Sequence, residues 1–296
     1  MAPRSESRAP RLTIVVPTRN RATLLEKCLE SLTHQDVPAT DLELIVVDDG
    51  STDTTRSTVL HAASRTAFAL RYVRNQGRGV NAARNTGVRH ASADIVAFVD
   101  DDEDVPGSWA RTLLETADRD QELDGIGGPV LEAGNTRLRT CSTCSLGDAR
   151  VPLGEAGRPE RLLGGNMAIR KSTFARVGLF DASLSGRGDE VEWFDRARAH
   201  QLKLYYGDDL VIWHRRDHLT LLGLWRSSFR QGRNLPDYLE RTDQPIAMQP
   251  SAVARYLAHA IRCRCANGFR LAAIELGKVS RIVERWALRG RAGGGR

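Results

Sequence analysis

The sequence has no continuous apolar run of the roughly 18 residues that a membrane-spanning helix needs, so we predict no spanning helix. Residues 1–11 are polar, contain two prolines and lack the apolar stretch of a secretory signal peptide. We therefore expect a disordered N-terminal segment and a cytoplasmic protein.

Cysteine is also scarce, with five among 296 residues. Cys141 and Cys144 form a single C-x-x-C, and Cys263 and Cys265 are separated by one residue. Without a second pair at zinc-site spacing, and with an odd total, the pattern favours free thiols in a reducing compartment. A glycine-rich fingerprint is missing as well: residues 17–20 (PTRN) follow the first apolar segment, which argues against a dinucleotide-dependent dehydrogenase.

Three apolar segments that are typical of buried strands end in polar residues. Residues 12–16 stop at Pro17, residues 42–47 run into the polar segment 48–53 (DDGSTD), and residues 95–99 run into three aspartates. Helical segments separate these strands, and the first of them is predicted at residues 22–33. The alternation predicts a parallel α/β sheet with its ligand site beyond the carboxyl ends of the strands.

Asp100, Asp101 and Asp102 are the most informative residues of the chain. Three adjacent carboxylates repel one another and raise each other's pKa unless a cation lies among them. A hard divalent ion, Mg²⁺ or Mn²⁺, suits such oxygen ligands. A solvated loop or a helix N-terminus, where Asp is also favourable, is the alternative.

Seven segments together resemble the family 2 glycosyltransferases of the GT-A fold. They are residues 15–20 (VVPTRN), 46–53 (VVDDGSTD), 83–87 (ARNTG), 98–102 (FVDDD), 164–170 (GGNMAIR), 177–181 (VGLFD) and 188–192 (GDEVE). Each is weak alone, but the ordered set, which covers about residues 11–235, is specific. The resemblance implies an α/β fold with a GT-A-type, Rossmann-like, mostly parallel sheet flanked by helices. It also implies transfer of a sugar from a nucleotide diphosphate to an acceptor hydroxyl.

The resemblance also implies residue roles at the donor site. Asp49 would contact the nucleotide base, Asp102 would bind the metal, and Asp100 would lie near the ribose or the donor sugar and the metal. Asp101 belongs to the same turn. The other candidate donor-binding residues are Pro17, Thr18, Arg19, Asn20, Arg84, Asn85 and Asn166.

An inverting transfer needs a carboxylate base to remove the acceptor proton. Related enzymes carry it in an acidic pair at a helix start, followed six residues later by Arg; here that spacing selects Glu190, with Arg196 following. The usual residue is Asp, so this chain departs from the family pattern, and Glu reaches about one methylene further. Asp189 is the alternative base. Both acids could instead simply favour a helix N-terminus.

His214 ends another strand-like segment, residues 210–214. Some members of the superfamily use a histidine at this place as an additional metal ligand. A hydrogen-bonded structural histidine is the alternative.

The predicted domain organisation follows from these patterns. Residues 12–235 form the glycosyltransferase domain, with a nucleotide half at about 12–105 and an acceptor half at about 106–235. Residues 236–290 form a C-terminal amphipathic helical extension, and residues 291–296 form a flexible tail.

Charge is concentrated at the C-terminus. Residues 251–296 carry ten Lys and Arg against two Glu, a net of +8, which leaves −2 for residues 1–250 in a chain of net +6. Apolar residues recur there at helical spacing: Phe269, Ala272, Leu276, Val279, Val283 and Trp286. This stripe either packs against the catalytic domain or lies on an anionic membrane surface through residues 251–290. The second alternative would place the protein at the inner face of the cell membrane.

These features predict a metal-dependent inverting glycosyltransferase that uses Mn²⁺ or Mg²⁺ and a nucleotide-sugar donor, most plausibly a UDP-sugar. The acceptor would be a glycan, a lipid-linked sugar or a small molecule, in cell-surface polysaccharide or glycoconjugate biosynthesis. A non-catalytic nucleotide-sugar-binding relative would lose the carboxylates. A nucleotidyltransferase usually has a glycine-rich basic loop after the first strand. The basic tail lacks a nucleic-acid-binding module, so we expect no nucleic-acid partner.

Overall fold

The computed structural model of the protein describes residues 9–133, 159–184, 189–215, 220–241, 250–263 and 266–293. The chain divides into two compact units. The first contains Met1–Glu132, Ala149–Ser183 and Trp193–Arg215. The second contains Ala133–Asp148, Leu184–Glu192 and Arg216–Arg296.

Strands and helices alternate through the first part of the first unit. Their order is β1 (Leu12–Thr18), α1 (Ala22–Leu32), β2 (Leu42–Asp48), α2 (Thr55–Ala63), β3 (Ala69–Arg74), α3 (Val80–His90) and β4 (Ile95–Phe98). The strands predicted from the three apolar segments and the first helix are confirmed to within one or two residues.

Shorter elements follow. They are β5 (Glu103–Asp104), α4 (Trp109–Arg119), β6 (Gly125–Gly127), β7 (Val130–Ala133), β8 (Met167–Arg170), α5 (Lys171–Val177), α6 (Asp189–Ala197), a 3₁₀ turn (Arg198–His200), β9 (Leu204–Tyr206) and β10 (Ile212–Arg215). Helix α6 belongs to the second unit up to Glu192 and to the first unit from Trp193.

The main sheet has seven strands in the order β3-β2-β1-β4-β8-β6-β9. Strands β1 to β4 run parallel, with Leu12 opposite both Leu42 and Ile95, and β8 is antiparallel to its two neighbours. A second sheet has the order β5-β10-β7. The strand order reverses between β1 and β4, and at such a point ligands bind beyond the carboxyl ends of the strands. The predicted GT-A-type sheet flanked by helices is therefore confirmed.

Both faces of the main sheet are buried, which explains why the strands are nearly continuous apolar runs. On one face, α1 and α4 contribute Leu25, Leu29, Trp109 and Leu113 to the core. The other face carries an aromatic cluster, made of Phe98, Phe174, Phe180, Trp193 and Phe194, whose ring centroids lie 5.1 to 6.2 Å apart. Burial of each such ring contributes about 1.5–3 kcal/mol.

Helix α3 is unusual because it buries polar side chains, namely Asn81, Arg84, Asn85 and Thr86. It can do so because it lies directly on β1. A Cβ atom at Gly87 would overlap the side chain of Val15, so only glycine permits this approach. The helix thus brings its polar groups beneath the carboxyl ends of the strands.

The second unit contains three long helices, α7 (Leu221–Arg241), α8 (Pro250–Cys263) and α9 (Ala266–Gly293). Helices α7 and α9 pack closely, since a Cβ at Gly277 would overlap the carbonyl oxygen of Phe229. The predicted boundary at residue 235 falls inside α7, and α9 continues past residue 290 to Gly293. Residues 294–296 of the predicted tail lie outside the described residues.

Ion pairs connect α7 and α9. Arg233 lies 2.6 Å from Glu284, and Arg285 lies 2.8 Å from Glu240. Asp237 forms ion pairs with both Arg281 and Arg285. Two arginines of the basic α9 segment, Arg281 and Arg285, are therefore paired with acids of α7.

The apolar stripe of α9 divides into two parts. Ala272 and its neighbours Ala273 and Ile274 are buried, whereas Val283 and Trp286 are 55% and 79% exposed. Packing therefore accounts for the first part of the stripe and leaves the second part open. Within the part of the chain that the structure describes, no helix combines the length and the apolar character that crossing a bilayer demands.

The described residues include only part of the predicted N-terminal segment and one of the five cysteine side chains. Residues 1–8 lie outside the described residues, whereas Arg11, assigned to the disordered segment, donates to both carboxylate oxygens of Asp118 at 2.6 and 2.7 Å. Cys28 is a buried free thiol. The side chains of the other four cysteines lie outside the described part.

Candidate functional site

An acidic turn lies where the strand order reverses. It consists of Asp100, Asp101, Asp102 and Glu103, which follow β4, beside the carboxyl end of β1. The side chain of Asp100 is 43% exposed, whereas those of Asp101 and Asp102 are 4% and 9% exposed. Of the three aspartates, one therefore faces solvent and two face the protein; Glu103 is buried as well.

Asp101 is bound on both oxygens by the segment after β1. The Thr18 hydroxyl donates to Oδ2 at 2.7 Å, and Arg21 Nη1 donates to Oδ1 at 2.6 Å. Burial raises the pKa of Asp101 to about 7, despite the opposing effect of Arg21. Both Asp101 and Thr18, predicted as donor-binding residues, are directed inward and hold the turn in place.

Asp102 is the meeting point of three segments. Its Oδ2 lies 2.6 Å from Arg21 Nη2 and 3.1 Å from His214 Nε2, and its carbonyl accepts from the Arg215 amide. Burial alone would raise the Asp102 pKa, but His214 and Arg21 outweigh it and hold that pKa well below its usual range. The two residues predicted as metal ligands from distant parts of the sequence are thus brought together.

The donor set suits a divalent cation with two protein ligands. A carboxylate oxygen and an imidazole nitrogen are groups that Mn²⁺ accepts, and such an ion commonly fills its other positions with phosphate and water oxygens. Among the described residues, no group of three His, Cys, Asp or Glu side chains converges as a complete metal site. Asp102 and His214 would hold the ion, with Asp100 beside them.

Two buried side chains, Arg84 and Glu103, interact with Asp100. Arg84, buried in α3, places Nη2 at 3.9 Å from Asp100 Oδ1, and the Glu103 carboxylate accepts from the Asp100 amide at 2.9 Å. Burial, and then the charge of Asp100, raise the pKa of Glu103 well above its usual value. Gly165 lies directly on this pair, because a Cβ there would overlap Glu103 and approach Asp100.

Asp49 lies at the end of β2, as predicted for a base-binding carboxylate. Its Oδ1 accepts from Asn75 Nδ2 at 2.8 Å and its Oδ2 accepts from the Gly79 amide at 3.0 Å, with Arg19 Nη1 3.7 Å away. A carboxylate has about four acceptor positions, so two remain for a ligand. The geometry thus permits an additional N–H donor.

Asn20 connects the loop after β1 to the loop after β2. Its backbone amide donates to Ser51 Oγ at 2.8 Å, and its side-chain oxygen accepts from the Thr52 amide at 2.7 Å. It adopts a left-handed φ of 52°, which Asn tolerates better than most residues. This predicted donor residue therefore shapes the rim of the site, next to Pro17 and the exposed Arg19.

Two other predicted donor residues use their amides within the protein. Asn85 Nδ2 donates to the Phe180 carbonyl at 2.8 Å, and the Phe180 amide donates back to Asn85 Oδ1 at 3.0 Å. Asn166 accepts from Trp109 and donates to the carbonyls of Pro129 and Leu210. Both side chains are buried and serve to hold loops in position.

Replacing Asn85 with alanine is expected to lower the free energy of unfolding by about 2–4 kcal/mol, because it leaves a buried N–H and a buried C=O without their partners. Urea unfolding followed by circular dichroism measures this. The matched control is His90→Ala, at an exposed position of the same helix, which should change stability by less than about 0.5 kcal/mol. Equal stability of the two variants would contradict the assignment.

The candidate bases lie in the first turn of α6. Glu190 is half-buried, and the side chain of Asp189 lies outside the described part. Arg196, six residues after Glu190, donates to the carbonyls of Val177 and Leu179, each at 2.8 Å. It fixes the segment that follows α5.

Arg21, Glu103 and Asn75 are the site residues that the sequence patterns did not single out. Glu103 extends the acidic triplet to four residues, which is a visible signal. Arg21 and Asn75 carry no local signal, because their partners are 80 and 26 residues away in sequence.

Comparison with known proteins adds a family to this geometry. The model of the family described as "Glycosyl transferase family 2" matches residues 13–175. A GalNAc(5)-diNAcBac-PP-undecaprenol beta-1,3-glucosyltransferase of Campylobacter jejuni is 39% identical over 110 residues, which is 36% of this chain and 35% of that protein. A validoxylamine A glucosyltransferase of Streptomyces hygroscopicus is 43% identical over 98 residues, 33% of this chain and 23% of that protein. The chain thus aligns with about a third or less of these relatives.

Solved structures share the fold. The mannosyltransferase PcManGT of Pyrobaculum calidifontis, in complex with GDP-Man and Mn²⁺, superposes with a TM-score of 0.62 at 23% identity over 97% of this chain and 80% of that one. Residues 1–349 of TarS from S. aureus, in complex with UDP-GlcNAc, give a TM-score of 0.57 at 16% identity, covering 91% and 92% of the two chains.

Proposed function

This chain belongs to glycosyl transferase family 2, and we propose that it catalyses metal-dependent, inverting transfer of a sugar from a nucleotide diphosphate sugar to an acceptor hydroxyl. The observation that carries this proposal is the convergence of Asp102 and His214, 3.1 Å apart, with the exposed Asp100 where the strand order of the sheet reverses. Ligands of open α/β sheets bind at that position.

The donor nucleotide would lie across the carboxyl ends of β1 and β2. Asp49 would accept an N–H of the base with the acceptor positions that Asn75 and Gly79 leave available. Arg19, whose side chain is exposed at the same rim, would contact the donor phosphates or ribose, since guanidinium groups suit phosphate oxygens. We favour a UDP-sugar, whose uracil N3–H can donate to Asp49. Thymine and guanine also offer N–H donors, so the nucleotide is decided by comparing the UDP, GDP and dTDP sugars.

Mn²⁺ or Mg²⁺ would be held by Asp102 and His214, with Asp100 nearby, and would offset the negative charge that develops on the leaving diphosphate. Arg84, buried beneath Asp100 at 3.9 Å, would help to orient that carboxylate. The absence of a side chain at Gly165 lets the backbone approach Glu103 and Asp100 closely.

Glu190 would act as the general base. Its carboxylate would take the proton of the acceptor hydroxyl while the oxygen bonds to the anomeric carbon and the bond from that carbon to the diphosphate oxygen breaks, which inverts the anomeric configuration. Asp189 remains the alternative base. The first turn of α6 favours an ionised acid at either position.

The acceptor would be a glycan, a lipid-linked sugar or a small molecule, in cell-surface polysaccharide or glycoconjugate assembly. The name of the Campylobacter relative includes an undecaprenol-linked glycan, and that of the Streptomyces relatives a small molecule. We propose that the protein is cytoplasmic, because nucleotide sugars are made in the cytoplasm, and that it can bind at the inner face of the cell membrane.

Thermal unfolding with UDP, GDP and dTDP sugars, each with and without Mn²⁺, tests the donor site. At a hundredfold excess over Kd, the true donor should raise the Tm by about 5–10 °C. A shift for one nucleotide that requires Mn²⁺ supports the proposal. Binding without any turnover over a panel of acceptors would instead favour a non-catalytic nucleotide-sugar-binding protein, and no shift with any donor would overturn the donor site.

Membrane binding through α9 has its own test. Val283 and Trp286 are exposed on the basic helix, so the protein should co-sediment with anionic vesicles at low salt. Trp286→Ser is expected to weaken binding about ten- to a hundredfold, since burial of an aromatic ring contributes about 1.5–3 kcal/mol. Trp213→Ser, at an exposed tryptophan of the first unit, is the control. No co-sedimentation of the wild-type protein would rule this contact out.

A further inference from the structure

Among the described residues, Arg21 is the only side chain that ion-pairs with both Asp101 and Asp102 of the acidic turn. Its Nη1 lies 2.6 Å from Asp101 Oδ1 and its Nη2 lies 2.6 Å from Asp102 Oδ2. The two nitrogens of one guanidinium thus bridge two carboxylates, a geometry that lysine cannot reproduce.

The turn needs a cation because of where its charges lie. Asp101 and Asp102 are almost fully buried and adjoin Asp100 and Glu103, so their negative charges repel one another in a poorly hydrated setting. A buried carboxylate is stable only when it is paired or protonated. Arg21 supplies the positive charge at the place where a divalent ion would do so.

Arg21 and a metal ion would also compete for the same atom. Asp102 Oδ2 already receives Arg21 Nη2 and approaches His214 Nε2 at 3.1 Å, which accounts for both of its acceptor positions. A cation that binds Oδ2 between Asp102 and His214 must displace the guanidinium. Even a cation on the other oxygen would be repelled by a positive charge a few ångströms away.

The position of Arg21 permits this exchange. Its side chain is 37% exposed and it immediately precedes α1, so the guanidinium can move into solvent without breaking a helix or a strand. The burial of Asp101 and Asp102, by contrast, fixes the carboxylates. The mobile partner of the pair is therefore the arginine.

We propose that Arg21 is a resident counter-cation of the acidic turn: it occupies Asp102 when no metal is bound, stabilises the metal-free fold, and lowers the affinity of the site for divalent cations. This inference rests on the proposed metal site at Asp102 and His214. The effect is reciprocal: if metal binding weakens the Arg21 contacts, those contacts weaken the binding of the metal by the same free energy.

The test is titration of the purified protein with Mn²⁺ alone, in which free Mn²⁺ is measured by electron paramagnetic resonance. Arg21→Gln is expected to bind Mn²⁺ about ten- to hundredfold more tightly than wild type. This increase in affinity corresponds to the free energy of one charge-assisted hydrogen bond, which Mn²⁺ no longer has to break. Arg21→Lys, which keeps the charge and loses the fork, should fall between the two. The metal-free Arg21→Gln protein should unfold at a lower temperature than wild type, and Mn²⁺ should reverse the difference.

The control is Arg176→Gln. Arg176 lies on α5 and forms an ion pair with Asp124, so this variant removes the same charge elsewhere and should leave Mn²⁺ affinity unchanged. Equal or weaker Mn²⁺ binding by Arg21→Gln would overturn the inference. If Arg21→Gln does not fold, Arg21→Lys decides, and Mn²⁺ affinity at or below that of wild type overturns it.

Failure of this inference is distinguishable from failure of the proposed function. Wild-type protein that binds Mn²⁺ and a nucleotide sugar, with no change in Arg21→Gln, overturns only the role of Arg21. Absence of Mn²⁺ binding in wild type and in both Arg21 variants overturns the inference and the metal dependence together. The nucleotide-sugar shift without metal then reports separately on the donor site.

Discussion

Replacing Asp102 with asparagine is expected to lower the rate of glycosyl transfer about a thousandfold, with loss of Mn²⁺-dependent donor binding. The Asp102 carboxylate lies 3.1 Å from His214, so the amide removes the anionic half of the proposed metal site. A transfer assay with the donor identified by thermal unfolding, together with the Mn²⁺ dependence of that unfolding shift, measures both effects.

Stability must be separated from catalysis in this variant. Because the folded-state pKa of Asp102 lies below its unfolded value, the ionised carboxylate stabilises the fold above the unfolded pKa, and that contribution is lost only as the pH falls through the lower folded value. Asp102→Asn should therefore also unfold at a lower temperature at neutral pH, and assays should run well below it.

Asp104→Asn is the matched control for Asp102→Asn. Asp104 lies two residues further along and pairs with Arg215 at 2.7 Å, and we place it outside the donor site. Its transfer rate should stay within about threefold of wild type, as is usual for a surface ion pair. A folded Asp102→Asn protein that transfers sugar at a rate close to that of Asp104→Asn would contradict the metal-ligand assignment.

Glu190→Gln is expected to lower kcat by about 10²–10⁴-fold while leaving donor binding intact, because the amide cannot take the acceptor proton. The residue lies in the first turn of α6, a helix that Arg196 and Trp193 attach to the segment after α5. Single-turnover transfer, with the donor-induced unfolding shift measured in parallel, distinguishes lost chemistry from lost binding.

Two neighbouring variants make this second prediction specific. Glu192→Gln changes the same group type in the same helix and should retain most of the activity. Asp189→Asn tests the alternative base. If Asp189→Asn stops transfer and Glu190→Gln does not, the catalytic proton goes to Asp189, and the departure from the family's usual residue at position 190 has no catalytic consequence.

Backbone organisation was predictable because it depends on local patterns. The apolar runs at 12–16, 42–47 and 95–99 correspond to β1, β2 and β4, and the helical stretch 22–33 corresponds to Ala22–Leu32. A strand buried on both faces must be apolar throughout, and parallel strands must be connected by helices. The same rules place polar residues at the carboxyl ends, so the position of the site was also predictable.

Side-chain roles within the site were less predictable. Asn85, Asn166, Thr18 and Asp101 belong to the predicted donor site, yet their polar atoms bond to Phe180, Trp109 and one another. A polar residue near the end of a strand can face the ligand or hold a neighbouring loop. Its sequence position is the same in both cases.

The C-terminal helices show a similar division. Helical spacing and charge indicated an amphipathic basic segment, and α8 and α9 are helices. Nothing local could show that Asp237 and Glu240 of α7 pair with Arg281 and Arg285, more than 40 residues away. These pairs form only when α7 and α9 pack. The net charge of +8 counted for residues 251–296 therefore includes Arg281 and Arg285, whose charges are already paired within the protein.

The order of strands and helices, the family and the acidic composition of the site thus follow from residue type and spacing, since hydrophobic periodicity and turn chemistry act over a few residues. The pairing of Asp102 with His214, the inward direction of Asn85 and Asn166, and the arginine that bridges Asp101 and Asp102 depend on contacts across 57 to 112 residues of sequence, which folding brings within hydrogen-bonding distance. Such contacts are set by the packing of helices on the sheet, and a short segment of the sequence does not determine them.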